Sequence, residues 1–226
     1  MENGINIRLY ENKCIADIDI FENGIIKNKT LSILDLEQCF VQGQEERKMR
    51  FNGLMPEGLI SYSCSVTESY IVLRYPAQKI TYFSTFSDPY PDFPMPNLVF
   101  GILMNRDHMI LRTFLRVLPQ GPLTLDSPLY YYPFSNVYDN GEICMGNNEA
   151  LTYDHLQSLE NYPPYVLSLP NNADLFESMH NKPRLEYKEL LKKLAKKRLN
   201  YYYKNVLVRV PGQTLKDFCT LGGKII

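Results

Sequence analysis

Apolar and polar residues alternate from Ile5: Ile5, Ile7 and Leu9 fall on one face, Asn6, Arg8 and Tyr10 on the other. The alternation resumes as Cys14, Ala16, Ile18 and Ile20 opposite Asp17 and Asp19. A period of two predicts half-buried strands, with Glu11-Asn12-Lys13 as the polar turn between them. Cys14 then belongs to the apolar register as a small buried thiol. Ser32-x-x-Asp35 has the form of a helix cap, and the helix it starts carries Ile33, Leu36 and Phe40. The charged run from Gln42 to Arg50 reads as its solvated continuation or a loop.

Gly and Pro dominate around Asn52 to Glu57, and longer strands begin at Ser69, which puts a soft boundary near Gly58 to Ser65. Ser69–Tyr75 and Lys79–Thr85, separated by Pro76-Ala77-Gln78, predict a hairpin. The stretch Asp88 to Pro96 holds four prolines, which remove amide donors and restrict the residues before them, so a rigid extended connector is expected. Asn97–Met104 is a continuous apolar run. After a turn containing His108 comes Met109, Leu111, Thr113, Leu115 and Val117 opposite Arg112, Phe114 and Arg116. These predict two further strands, antiparallel to each other.

Past Gly146 the period fades, with a helical turn or two expected within Tyr153–Leu159. Asn172-Ala173-Asp174 is positioned to begin a helix carrying Leu175, Phe176 and Met179, with His180 near its end. Pro183 suits the first turn of another helix reaching about Leu199. It would carry Tyr187, Leu190, Leu191, Leu194 and Ala195 on one face and Lys188, Lys192, Lys193, Lys196 and Lys197 on the other. That lysine face is either solvated or a basic docking surface for an acidic partner. A last strand is expected at Asn205–Val210, followed by a short tail.

Composition narrows the function classes. With 226 residues, 45% of them hydrophobic, the chain can bury a sizeable core. A net charge of -1 gives no general attraction to nucleic acid. Five scattered cysteines without a Cys-x-x-Cys pair indicate neither a disulfide framework nor a zinc site, and fit a reducing cytoplasm. No secretory leader and no membrane-spanning run is apparent.

The chemistry concentrates in Leu129–Gly146, where aromatic residues and a proline precede Asn136, an Asp139-Asn140-Gly141 turn and Cys144. Taken alone, this spacing fits two arrangements. Cys144 is either a nucleophilic thiol with Asn136 beside it, or a buried residue ending a strand after an Asn-Gly turn. No Lys, Arg or His adjoins Cys144 in the sequence. A cysteine hydrolase would need a histidine beside it, from His155 or His180.

Pro133-Phe134-Ser135-Asn136, the glycine turn and Ile143-Cys144 resemble the active-site segment of ubiquitin-conjugating enzymes, in which a His-Pro-Asn triplet precedes a turn and an Ile-Cys pair. A closer resemblance is to the bacterial branch known as protein B of the PRTRC system, prokaryotic ubiquitin-conjugating-like family D. It is carried by Pro94-Met95-Pro96-Asn97-Leu98-Val99-Phe100, Pro128-Leu129-Tyr130, Pro133 to Tyr138, Gly141 to Gly146, and Phe176-Glu177-Ser178-Met179-His180. Phe134 and Ser135 stand where the usual triplet has histidine and proline. That branch has a histidine after the cysteine, and His180 is the residue that fits.

The resemblance implies an α+β fold, an antiparallel meander of ubiquitin-conjugating-enzyme type. Residues 1–65 would form a β-rich subdomain, 66–182 the conjugating-like domain, and 183–226 a basic helix and tail. It further implies that Cys144 accepts a ubiquitin-like modifier as a thioester and passes it to an acceptor. Asn136 would donate to the carbonyl oxygen or hold the loop, and His180 would serve as base, with Asp139 or Glu142 as other candidates. The implied partners are a ThiF-like activating enzyme and the modifier; ATP would act on that enzyme, so no cofactor is expected here. The competing expectation is a noncatalytic module of the same fold that binds the modifier or scaffolds the system. Leu221-Gly222-Gly223 has the look of a modifier's diglycine tail, but Lys224-Ile225-Ile226 follow it, and chance accounts for it better.

Overall fold

A computed structural model describes residues 4–10, 12–44, 54–65, 67–148 and 150–222. The chain divides into two compact units, Met1–Phe51 and Asn52–Ile226.

In the first unit β1 (Gly4–Leu9), β2 (Ile15–Glu22) and β3 (Ile25–Ser32) form an antiparallel sheet in that order, followed by α1 (Ile33–Gln44). Alternation correctly marks β1 and β2. The third strand comes from the turn Asn23-Gly24, both residues at positive φ (50° and 81°), the conformation of a two-residue hairpin loop. Ser32 caps α1, its Oγ accepting from the Asp35 amide at 3.0 Å. The core here is small: Ala16, Ile18 and Leu36 are buried, with Ile7, Ile20 and Leu31 packed on them. Cys14 is exposed rather than buried: it has the parity of Ala16 and Ile18 but lies before β2, outside the paired strand.

The second unit is built on a six-stranded sheet ordered β4-β5-β8-β9-β10-β11, every determined pairing antiparallel. Its strands are β4 (Leu59–Cys64), β5 (Glu68–Tyr75), β8 (Leu98–Asn105), β9 (Ile110–Val117), β10 (Pro128–Tyr130) and β11 (Arg209–Thr214). The boundary expected near 58–65 therefore coincides with β4, whose ladder runs along β5. Between β5 and β8, β6 (Gln78–Tyr82) and β7 (Tyr90–Met95) form a separate two-stranded sheet.

Two expectations are corrected here. β5 pairs with β4 and β8, not with β6, so Pro76-Ala77-Gln78 leads from one sheet into another and closes no hairpin. The proline-rich connector is itself β7, because a strand with a single neighbour can place prolines where no amide donor is required.

Four α-helices lie beyond Gly146: α2 (Tyr162–Ser168), α3 (Tyr187–Leu194), α4 (Tyr201–Asn205) and α5 (Leu215–Cys219), of which the apolar pattern predicts only α3. The helix expected from Asn172 is reduced to one 3₁₀ turn at Ser178–His180. The one expected from Pro183 begins at Tyr187 and ends at Leu194. Asn181, fully buried, fixes the preceding loop by bonding the carbonyls of Ser178 and Leu185 and the amide of Leu185. Along α3, Tyr187, Leu190, Leu191 and Leu194 are buried while Lys188, Lys192 and Lys193 face water, as the periodicity predicts. The final strand starts at Arg209, four residues later than expected, since Tyr201–Asn205 is helical.

Both faces of the large sheet are covered. Ile71, Leu73, Phe100, Ile102 and Leu115 join the main core with Tyr162, Leu190 and Tyr202. On the other face Tyr70, Val72 and Val99 pack with Leu215 and Phe218 of α5. The main core is rich in tyrosines with bonded hydroxyls: Tyr82 to Tyr187 at 2.9 Å, Tyr202 to the Pro94 carbonyl at 2.6 Å, and Tyr162 to Thr113 at 2.7 Å. Among the described residues no helix is long and apolar enough to cross a membrane.

Candidate active site

Residues 136–144 form a small hairpin. The Cys144 amide donates to the Asn136 carbonyl (2.8 Å) and the Tyr138 amide to the Glu142 carbonyl (2.9 Å), with Val137 bridged to Ile143. Side chains alternate across such a ladder. Val137 and Ile143 point into the core at 6% and 7% exposure, leaving Asn136, Tyr138, Glu142 and Cys144 on the open face. Cys144 is half-buried there.

The turn is closed by the Gly141 amide donating to the Tyr138 carbonyl (2.8 Å), and by Asn140 Oδ1 accepting from the Glu142 amide (2.9 Å). The hairpin docks on β9, where Leu115 donates to the Gly141 carbonyl (2.7 Å) and Ile143 to the Thr113 carbonyl (2.8 Å). Below the turn lies Arg116, 2% exposed although alternation places it on a polar face. Its guanidinium donates to the Asp139 carbonyl (2.6 Å) and to Gln213 Oε1 (2.9 Å), and it stacks over Tyr131. Burial lowers its pKa to about 10, so it stays charged at neutral pH.

Asn136 adopts φ 63°, a left-handed conformation that asparagine tolerates better than most residues. Its Nδ2 donates to the Pro170 carbonyl at 3.2 Å. The side chain thus ties the hairpin to the segment after α2, while its own carbonyl receives the Cys144 amide. Phe134 and Ser135, the residues in place of the usual His-Pro, are buried; Phe134 packs among Tyr82, Phe93, Tyr132 and Tyr202.

His180 is brought to the turn rather than to the sulfur. Its ring stacks on Tyr131 with centroids 4.0 Å apart, and Nε2 lies 3.2 Å from Asp139 Oδ1. Burial lowers its pKa, with the neighbouring Asp139 carboxylate acting in the opposite sense. Among the described residues its polar side-chain contact is with Asp139 and not with Cys144. Glu142 is bound by both nitrogens of the Arg112 fork, which holds its carboxyl below the usual carboxylate range. His108 sits in the β8–β9 turn with Nδ1 against the Tyr153 carbonyl (3.2 Å).

Sequence reading missed Tyr138, which shares the open face of the hairpin with Cys144. The signal was available: with a turn at Asp139-Asn140-Gly141, parity alone puts Tyr138 and Cys144 on one face. Arg116 carried no such signal. Beside the hairpin, Tyr138, Asp139, Asn140 and Glu142 line a groove of about 590 Å³ with Asp174 and Glu177 opposite. Among the described residues no cluster of His, Cys, Asp and Glu is arranged to hold a metal ion.

This geometry presents a reachable thiol on a braced turn, with an amide and a phenol on the same face. No curated protein and no solved structure matches the chain significantly. The sequence model of prokaryotic E2 family D matches residues 36–210, a span that holds Asn136, Cys144 and His180. The chain is therefore a member of prokaryotic E2 family D.

Proposed function

We propose that this E2-like chain is a carrier that takes a ubiquitin-like modifier as a thioester on Cys144 and transfers it to an acceptor amine in a PRTRC-type system. Cys144 attacks the thioester of a charged ThiF-like activating enzyme; a new S–C bond forms and the donor's thiol departs. The acceptor amine then attacks the same carbonyl. Its C–N bond forms as the C–S bond breaks, Cys144 leaves as thiolate, and the amine's proton passes to solvent. The antiparallel succession β4, β5, β8, β9 leading into the cysteine hairpin supports a ubiquitin-conjugating-type meander in this reading.

The observation that carries the proposal is Cys144 itself, half-buried on the open face of a hairpin anchored to β9, inside the family-matched span. A carrier thiol must meet a partner's thioester, and a rigid mount reduces the cost of orienting it. Asn136 acts by holding the loop through Pro170, and His180 by steadying the turn through Asp139.

The test is a nonreducing gel of the protein with its activating enzyme, modifier and ATP, comparing wild type, Cys144→Ser and Cys144→Ala. A thiol-sensitive adduct on wild type, an alkali-labile ester on the serine variant and nothing on the alanine variant is the expected result. An activating enzyme that charges itself but leaves wild type unmodified overturns the carrier and favours a noncatalytic modifier-binding module.

A further inference from the structure

We propose that β1 is a pairing edge at which two copies of this chain join, antiparallel and centred on Ile7, so that their N-terminal sheets become one sheet of six strands. The inference is independent of the chemistry at Cys144. β1, β2 and β3 all precede residue 36, where the family match begins, so this sheet is an addition to the E2-like body.

Among the described residues β1 pairs with β2 alone, and so does β3. The sheet therefore has two open edges, and an open edge is a template for another strand. The two edges differ in their side chains. β3 carries Lys27 and Lys29, and an antiparallel copy centred on Asn28 would set Lys27 opposite Lys29 twice. Lysines so placed keep an edge from pairing. β1 reads Gly-Ile-Asn-Ile-Arg-Leu, with no lysine, and its Ile5 and Leu9 are each 66% exposed.

The register follows from the faces of the strand. Ile5, Ile7 and Leu9 share the face of Ile20, Ile18 and Ala16, while Asn6 and Arg8 share that of Asp19 and Asp17. Opposed residues in an antiparallel ladder point to the same side, so two copies keep their apolar faces together only if like parities are opposed. Centred on Asn6, such a pair leaves Leu9 without an apolar neighbour. Centred on Arg8, it opposes two guanidiniums. Centred on Ile7, it sets Ile7 against Ile7, Ile5 against Leu9 and Asn6 against Arg8, with no like charges opposed. The strand is self-complementary in that register. The polar face is already satisfied within its own unit, Arg8 bonding Asp19 (2.7 Å) and both Tyr10 and Thr30 bonding Asp17 (2.6 and 2.7 Å). The apolar face buries Ala16, Ile18 and Leu36 but leaves Ile5 and Leu9 open, and pairing covers these two with each other. Both α1 helices then lie on one side of the joint sheet, and a contact of this two-fold kind closes at two copies.

The experiment follows the full chain by sedimentation velocity over a dilution series, because a strand of six residues makes a small interface at the weak end of the specific range. Asn6→Arg opposes a further guanidinium to Arg8 of the other copy, twice over, yet within its own chain it faces Asp19. It therefore weakens pairing without weakening the fold, which matching circular dichroism spectra establish. Wild type is expected to pass from monomer to dimer with concentration, and the variant to dimerise roughly tenfold more weakly. Ile7→Cys, oxidised where wild type is dimeric, is expected to form a bridge between the two copies of position 7, located by peptide mass spectrometry. Asn6→Cys, which faces Arg8, is expected to form none. Monomers throughout the series overturn the proposal. So does a dimer indifferent to Asn6→Arg, or one whose Ile7→Cys variant forms no such bridge. Assemblies that keep growing with concentration also overturn it, since open-ended growth requires unlike edges to meet.

Discussion

The buried guanidinium of Arg116 holds the backbone carbonyl of Asp139 at 2.6 Å, so a cation inside the sheet determines where an exposed turn sits. Arg116→Ala would leave that carbonyl and Gln213 without their donor and open space beneath the hairpin. A loss of about 2–4 kcal/mol in urea unfolding is expected. Faster alkylation of Cys144 below the unfolding transition should accompany it, as the hairpin loosens.

Gly141 lies over the same guanidinium. Its φ is 91°, and a Cβ there would stand 2.9 Å from Arg116 Cζ. Gly141→Ala therefore meets both backbone strain and a clash with a buried group, and a loss of about 1–3 kcal/mol is expected. Gly146→Ala is the control, since φ is also positive (56°) but nothing lies within 4 Å. Equal losses in the two variants would show that strain alone decides.

Acid should weaken the fold partly through His180. Burial holds its pKa below that of the unfolded chain, so the unfolded state binds the proton first. The resulting loss begins as pH falls through the unfolded histidine's value near 6.5 and is complete below the folded one. His180→Asn removes this contribution, and its urea midpoint should fall less than that of wild type between pH 7 and 5. Parallel lines for the two proteins would show that His180 contributes no such linkage.

Glu142 is committed to Arg112, a pair with side chains 44% and 26% exposed for arginine and glutamate. Such a partner cannot readily accept a proton from an amine. Thioester discharge by Glu142→Gln should stay within about twofold of wild type, against the 10²–10⁴ typical of a general base. A loss of a hundredfold would restore Glu142 as the base.

Strand alternation marked β1, β2 and β9, a continuous apolar run marked β8, and the Ser32–Asp35 pair located the start of α1. Periodicity reports a local face but not which neighbour a strand takes, so the separation of β5 from β6 was illegible. It also assumes that one face is wet. With both faces of the large sheet covered, Arg116 is buried, while Leu111 is exposed as the extra residue where the β8–β9 register shifts. At the site, Asn136 and Cys144 were legible from spacing and family motif. His180 was placed by motif alone, and its partner Asp139 became evident only once the chain was folded. The prolines of β7 read as breakers because nothing local reveals that this strand has a single neighbour.

The tyrosine-bonded core has a consequence at the alkaline end of the pH scale. Burial raises the pKa of Tyr82 and Tyr202 well above the ordinary phenol value and that of Tyr162 to about 12. The unfolded chain surrenders these protons near pH 10, while the folded one keeps them. Their stabilisation is whole below that pH and drains away as pH climbs toward the folded values. Base should therefore unfold the second unit in one step, with its hidden phenols appearing together as tyrosinate absorbance.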